Sequence, residues 1–260
     1  MILKAIILGI IEGLTEFLPV SSTGHLIIAS KYIDFTGEFA NVFNVAIQVG
    51  AIFAVILYFK DKIFPKANNI RQARSVFRLW TKVIVGFIPA AILGFLFDDY
   101  IDAHFFNPTT VSIALIVGAI LLLVAEAKLK RVQVRTTDEL TFSQSFIVGV
   151  AQCMALIPGM SRSASTIIGG LFLGLSREVA AEFSFFLAIP TLMGAAAYKL
   201  MKAGFAYTPY EWMVILVGTV VSFIVALLVI ALFMSYIKRK KLAPFAYYRI
   251  LLGILVLLMA

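Results

Sequence analysis

Long apolar stretches constrain the fold of this chain more than any other feature of its sequence. Each of six stretches approaches the ~20 residues that a helix needs to cross a bilayer core. They cover residues 42–59, 79–97, 109–127, 183–201, 212–237 and 244–260. Hydrophobic residues make up 62% of the chain and charged residues 14%, against about 45–50% and about 25% in soluble domains. This composition excludes a soluble enzyme, a disulfide-linked secreted scaffold and a disordered chain, and it predicts an all-α integral membrane protein.

Two further apolar regions, 1–34 and 142–180, are each interrupted near the middle by a proline and a cluster of small polar residues. The interruptions begin at Pro19 and at Pro158. The apolar segment on either side of each interruption is short for a helix that crosses the bilayer core. Irregular backbone at membrane depth must line a cavity or be buried in protein. We therefore predict that both regions are re-entrant helical hairpins, in addition to six transmembrane helices.

The distribution of charge predicts the orientation of the chain in the membrane. Lysine and arginine concentrate in loops 60–82, 128–135 and 238–241, whereas loop 98–104 carries aspartates and neither lysine nor arginine. By the positive-inside rule the basic loops are cytoplasmic and the acidic loop lies outside. Both termini then lie outside, so the first hairpin enters from the outside and the second from the inside. These loops account for the net charge of +8, and we do not expect nucleic-acid binding.

An internal repeat relates the two parts of the chain. A shift of 140 residues places Glu12 on Gln152 and Pro19 within one residue of Pro158, and the pattern S/T-x-E-x-A-x-x-F recurs at the same shift. Each half would hold one hairpin and three spans, which makes the halves antiparallel. This arrangement predicts an inverted-topology repeat with its site near the midplane, where the interrupted segments meet. The halves cover approximately residues 1–135 and 140–260 of a single membrane domain.

Two glutamates lie within the first apolar region. Glu12 and Glu16 are four residues apart, so they share one face of a helix. Carboxylates in hydrocarbon are costly and are by default functional, although a helix lying in the interface would keep both in water. The chain has one cysteine and two histidines, too few for a zinc site of His and Cys ligands. The pair could therefore bind a hard divalent cation together with phosphate, or supply a base.

A cluster of polar residues follows Pro19, which favours the start of a new half-helix. The backbone N–H groups of such a terminus form an anion site. Ser22 and His25 are three residues apart on one helical face, the minimal arrangement of an activated nucleophile. Helix capping and close packing are the alternative explanation for the small polar residues. The cluster consists of Ser21, Ser22, Thr23 and His25.

The second cluster contains an arginine in the middle of an apolar region. The planar guanidinium of Arg162 suits bidentate binding of phosphate, and Ser161 and Ser163 flank it. A buried ion pair of Arg162 with one of the two glutamates is the alternative, and it does not exclude phosphate binding. Gln48 and Thr166 are weaker candidates for lining the same site.

The two clusters resemble the signature motifs of a known family. Residues 12–25, EGLTEFLPVSSTGH, and residues 158–166, PGMSRSAST, look like the motifs of bacterial undecaprenyl-diphosphate phosphatases of the BacA/UppP type. The resemblance covers nearly the whole chain, including the sequence IQVG at 47–50. It implies a multi-pass hydrolase of the bacterial inner membrane. Because the first hairpin enters from the outside, we expect its active site to open to the outer side. Such an enzyme converts undecaprenyl diphosphate to the monophosphate carrier of cell-wall synthesis, and it confers resistance to bacitracin.

The resemblance also implies roles for the residues and a cofactor. Ser22 would be the nucleophile, with acid–base and metal roles for His25, Glu12 and Glu16 and a divalent cation, Mg²⁺ or Ca²⁺. Arg162 would hold the diphosphate. Further phosphate contacts are expected from Ser21, Thr23, Ser161 and Ser163.

Several alternatives remain open at the level of sequence. Either His25 or Glu16 could deprotonate Ser22, and direct attack by water is an alternative to a phosphoserine. A lipid-phosphate transporter would share the inverted-repeat architecture. The sequence does not give the oligomeric state, for which a homodimer is one candidate.

Overall fold

The computed structural model describes residues 1–66, 69–129, 131–204 and 206–258, without the side chain of Asp102. Within these ranges the only β-structure is an isolated bridge between Val134 and Leu175. The prediction of an all-α protein is therefore confirmed. The helices are α1 (Ile2–Thr15), α2 (Ser22–Tyr32), α3 (Glu38–Tyr58), α4 (Lys60–Ile63), α5 (Ile70–Phe105), α6 (Pro108–Lys128), α7 (Phe142–Gln152), α8 (Arg162–Phe172), α9 (Arg177–Ala203), α10 (Pro209–Ile237) and α11 (Ala243–Leu258), with a 3₁₀ turn at Cys153–Leu156.

Five of the described helices are long and apolar enough to cross a membrane. They are α3, α5, α6, α9 and α10, and they cover the first five predicted stretches except for Phe59, which follows the end of α3. The sixth stretch, 244–260, forms α11, whose 16 residues fall short of the ~20 that span a bilayer core. Met259 and Ala260 lie outside the described residues. The chain is thus a multi-pass membrane protein, and the described part of α11 covers residues 244–258 of the last predicted stretch.

Helix α5 extends well beyond the apolar stretch 79–97. Much of the basic segment predicted as loop 60–82 is helical, in α4 and the first turns of α5, and the acidic segment 98–104 forms the end of α5. The helix boundaries are set by side-chain caps and not by the polarity of the segments. Asn69 accepts a hydrogen bond from the backbone N–H of Gln72 at the start of α5, and Asn107 caps α6. Lys130, in the basic loop 128–135, lies outside the described residues.

Each interrupted region forms two short helices separated by a break. Ser21 is the N-cap of α2 and Ser161 is the N-cap of α8, and both have positive φ angles, 73° and 69°. Their hydroxyls accept hydrogen bonds from the backbone N–H groups of Gly24 and Ala164, three residues further on. The two serines are 140 residues apart, so the two breaks share one local geometry at the spacing of the sequence repeat.

Contacts between the two halves of the chain occur in matching pairs. Helix α1 packs on α10, and α7, at the same position in the second half, packs on α5. Likewise α3 packs on α10 and α9 packs on α5. Glycines permit the close approach of these helices, because Gly9 faces the backbone of Gly218 and Gly149 faces the backbone of Gly86. The long helices thereby enclose both breaks in the protein interior.

Candidate active site

The two breaks bring Glu16, Ser22 and Arg162 into direct contact. The hydroxyl of Ser22 donates a hydrogen bond to Oε2 of Glu16 at 2.5 Å. The other carboxylate oxygen, Oε1, accepts from Nε and Nη2 of Arg162 at 3.4 and 3.3 Å. All three side chains are buried, so the arginine rather than water balances the charge of the carboxylate. The ion pair considered for Arg162 is therefore present, and Glu16 is its partner.

Ser22 and Arg162 occupy equivalent positions, since each is the first residue of a helix after a break. The first N–H groups of a helix have no partner within the helix, and the partial positive charge at that end favours anions. The hydroxyls of Ser21 and Ser161 each cap one of these N–H groups. The remaining N–H groups and the arginine create a positive environment beside the Ser22 hydroxyl.

Arg162 is held from three sides. Its Nη1 donates to the backbone carbonyl of Ser184 at 2.9 Å, and its guanidinium carbon lies 5.7 Å from the ring centroid of Phe17. Each terminal nitrogen of a guanidinium carries two N–H groups. Nη2 hydrogen-bonds only Oε1 of Glu16 among the described residues, so one of its N–H groups has no acceptor there.

Ser163 links the second break to the first. Its hydroxyl donates to the backbone carbonyl of Leu18 at 2.8 Å and lies 3.0 Å from the hydroxyl of Ser161. These contacts place both serines beside the first break. Ser161 has the additional role of capping α8.

The remaining predicted site residues differ in their placement. Thr166 is fully buried, and its hydroxyl lies 2.7 Å from the hydroxyl of Ser184, next to Arg162. Thr23 and Gln48 are half-buried, and in the described part of the chain no hydrogen bond joins either of them to the other candidates. The structure thus brings Thr166 to the arginine, whereas nothing ties Thr23 or Gln48 to it.

Glu12 is a fully buried carboxylate, one turn before Glu16 on α1. Neither of its oxygens has a hydrogen-bond partner among the described residues. A buried carboxylate without a donor is costly unless a proton or a cation satisfies it, and hard divalent cations prefer carboxylate oxygens. In the described ranges no three His, Cys, Asp or Glu side chains form a metal cluster. The chemistry of Glu12, with two free oxygens, is compatible with a cation whose other ligands come from phosphate or water, whereas both oxygens of Glu16 already accept hydrogen bonds.

His25 does not contact the Ser22 hydroxyl. Its Nδ1 lies 2.8 Å from the backbone carbonyl of Ser21, and its Nε2 lies 2.6 Å from the hydroxyl of Tyr248. The rings of His25 and Tyr248 are also stacked, with centroids 5.6 Å apart. Of the two bases that the sequence left open, Glu16 is the one that accepts the hydrogen bond from Ser22.

Comparison with known proteins agrees with the two motifs that form this site. A family model described as "Bacitracin resistance protein BacA" matches residues 5–255. The chain belongs to the BacA family. Among its BacA relatives, "Undecaprenyl-diphosphatase" of Caldanaerobacter subterraneus subsp. tengcongensis is 52% identical over 99% of this chain and 95% of the relative. "Undecaprenyl-diphosphatase 1" of Clostridioides difficile is 52% identical over 98% and 95%, and "Undecaprenyl-diphosphatase" of Enterococcus faecalis is 46% identical over 99% and 96%.

Three residues around this BacA site escaped the sequence analysis. Ser184 and Tyr248 lie in apolar helices and carry no charge, so composition gave no signal for them. Arg249 did give a signal, because it is a second arginine within an apolar stretch, 244–260. Intramembrane charges are functional by default, and that rule applied to Arg249 as much as to Arg162.

Proposed function

We propose that this chain hydrolyses undecaprenyl diphosphate to undecaprenyl phosphate and inorganic phosphate. The reaction recycles the lipid carrier of cell-wall synthesis, and it confers bacitracin resistance because bacitracin sequesters the diphosphate. The observation that carries the proposal is the 2.5 Å hydrogen bond from Ser22 to Glu16, next to a buried arginine. Relatives at 52% identity over nearly the whole chain bear the name of this diphosphatase.

In the first step Ser22 acts as the nucleophile. Its Oγ forms a bond to the terminal phosphorus while the bridging P–O bond breaks, and the lipid monophosphate leaves with that electron pair. Glu16 takes the Ser22 proton through the hydrogen bond that already joins the two side chains. This step transfers the terminal phosphoryl group to Ser22.

In the second step water attacks the phosphorus of the phosphoserine. Glu16 returns its proton to Ser22 as the Oγ–P bond breaks. The water oxygen and one of its protons leave with inorganic phosphate, and the other proton passes to solvent. The side chains are then restored for another turnover.

Phosphoryl transfer depends chiefly on positioning and charge stabilisation. Arg162 and the N-termini of α2 and α8 supply positive charge from the protein. Both ring nitrogens of His25 are engaged, by Ser21 and Tyr248, so the histidine would reach the transferred phosphoryl group by exchanging its hydrogen bond to Tyr248. A divalent cation on Glu12 and Glu16 would add Lewis-acid stabilisation of the phosphate oxygens.

We propose the following arrangement in the membrane. Helix α11 is the sixth span, since 16 residues give a length of about 24 Å, which local thinning of the bilayer accommodates. The pairs α1–α2 and α7–α8 are re-entrant hairpins of an inverted repeat. The matching inter-half contacts and the equal caps at Ser21 and Ser161 support that symmetry. With the basic loops in the cytoplasm, the site opens to the outer side of the inner membrane.

Phosphate release tests the proposal directly. Purified protein in detergent is given undecaprenyl or farnesyl diphosphate with and without Mg²⁺, and Ser22→Ala is the matched inactive variant. We expect release of one phosphate per lipid from the wild type and nearly none from the variant. A transporter needs no nucleophile. If the wild type released no phosphate, and vesicles containing the Ser22→Ala variant still transported the lipid, the transporter alternative would be favoured.

A further inference from the structure

Arg249 is a fully buried side chain of α11. Among the described residues, its hydrogen bonds all go to backbone carbonyls. Its Nε and Nη2 reach two carbonyls of α6, and its terminal nitrogens reach three carbonyls of the breaks. The partners are Leu115 at 3.2 Å, Ala114 at 3.4 Å, Pro19 at 3.4 Å, Gly159 at 3.2 Å and Met160 at 3.0 Å. One guanidinium therefore connects both breaks to the α6–α11 pair.

The contacts of Arg249 follow the internal repeat. Nη1 bonds the carbonyl of Pro19 and Nη2 bonds the carbonyl of Gly159, and these two residues are 140 positions apart. Pro19 precedes Ser22 by three residues, and Gly159 precedes Arg162 by three. The same side chain thus holds equivalent points just before the nucleophile and just before the phosphate-binding arginine.

Arg249 has no carboxylate partner within the described residues, where its hydrogen bonds all go to carbonyl oxygens. A buried charge without a counter-ion is costly. In contrast, Arg177 at the start of α9 pairs with the buried carboxylate of Glu126. The five-donor fork of Arg249 instead meets carbonyl oxygens, three of which belong to the breaks, outside regular helix.

We propose that Arg249 is a positioning residue that holds the two breaks in register and so sets the placement of Ser22 relative to Arg162. The catalytic part of this inference rests on the proposed phosphatase function. Without the guanidinium, the two half-helices keep their side chains but lose their common anchor. Small errors in the placement of reacting groups lower the rate far more than they lower substrate binding.

The test compares Arg249→Lys and Arg249→Gln with Lys82→Met. Lys82 is also a buried cation of the described chain that donates only to backbone carbonyls, those of Thr137 and Asp138, so it is a matched control remote from the site. We expect kcat, per folded protein, to fall about 10- to 100-fold in both Arg249 variants, with KM changed less than about threefold. An ammonium is a point donor and does not span the two breaks, so lysine should not rescue kcat. Lys82→Met should keep kcat within about twofold.

Hydrogen–deuterium exchange provides a readout that does not depend on activity. In Arg249→Lys, exchange should rise in segments 17–24 and 157–164 and stay unchanged in α3 and α10, whereas in Lys82→Met it should rise around 136–140. Wild-type kcat in Arg249→Lys, or an increase of exchange spread evenly over the chain, would overturn the positioning role. If the wild type released no phosphate, the phosphatase proposal would fail, and the exchange pattern would still decide whether Arg249 holds the breaks.

Discussion

Ser21 and Ser161, 140 residues apart, adopt the same rare backbone conformation, with φ angles of 73° and 69°. Left-handed φ costs a non-glycine residue roughly 1–2 kcal/mol. At both positions the hydroxyl caps the following helix, which recovers about 1 kcal/mol. This conformation turns the next residue, Ser22 or Arg162, towards Glu16. The backbone strain therefore places the side chains of the candidate site.

Substitution of the two neighbouring serines should separate the nucleophile from the cap. Ser22→Ala should lower kcat by several orders of magnitude, since a nucleophile is removed. Ser21→Ala removes a cap and should cost about ten- to a hundredfold at most. Phosphate release from farnesyl diphosphate is the measurement. If Ser21→Ala were the inactive variant, Ser21 rather than Ser22 would be the nucleophile.

Replacement of Glu16 tests its role as the base. Glu16→Gln keeps the size of the side chain and an oxygen that can accept from Ser22, but the amide cannot take a proton. We expect kcat to fall about 10²- to 10⁴-fold, the usual contribution of a general base. A reduction of kcat by less than tenfold would mean that another group accepts the proton of Ser22.

The contact between Tyr248 and His25 predicts that substitution of Tyr248 lowers kcat less than substitution of Glu16 does. Tyr248→Phe removes the hydrogen bond to Nε2 of His25 at 2.6 Å and keeps the stacked ring, so kcat should fall about threefold to tenfold. Tyr247, its exposed neighbour on α11, offers the matched control, and Tyr247→Phe should retain full activity. Equal activities for the two variants would mean that Tyr248 does not orient the histidine.

Removal of divalent cations should abolish turnover. Glu12 is buried with both oxygens lacking a hydrogen-bond partner in the described chain, and carboxylates are ligands for hard cations. Protein stripped with EDTA should regain activity on addition of Mg²⁺ or Ca²⁺, and Glu12→Gln should raise the cation concentration needed for half-maximal rate. Full activity after complete stripping would leave Glu12 as an acid–base group only.

Cysteine labelling tests the orientation. On a Cys153→Ser background, Arg74→Cys lies at an exposed position of the basic segment and Ala103→Cys at an exposed position of the acidic end of α5. In intact cells an impermeant maleimide should label position 103, and position 74 should react only after permeabilisation. The reverse labelling pattern would invert the proposed orientation of the chain and place the opening of the site on the cytoplasmic side.

The sequence determined the membrane class and the places of the five long apolar helices, and it singled out Glu16, Ser22 and Arg162, which touch in the structure. Hydropathy and helix-breaking residues act locally, so regions 1–34 and 142–180 were recognisable as interrupted helices without any tertiary information. Helix ends were less predictable. Asn69 begins α5 and Asn107 begins α6 through side-chain caps, whereas a hydropathy window detects only the apolar centre of each helix.

Tertiary structure decided which groups touch. Ser22 is three residues from His25 in sequence, yet it bonds Glu16, because the left-handed turn at Ser21 directs the start of α2 back towards the end of α1. Arg249 is 230 residues from Pro19, and only the packing of α11 against α6 brings the guanidinium to both breaks. Contacts of this kind depend on how distant helices assemble, and neither periodicity nor composition encodes the distance between them.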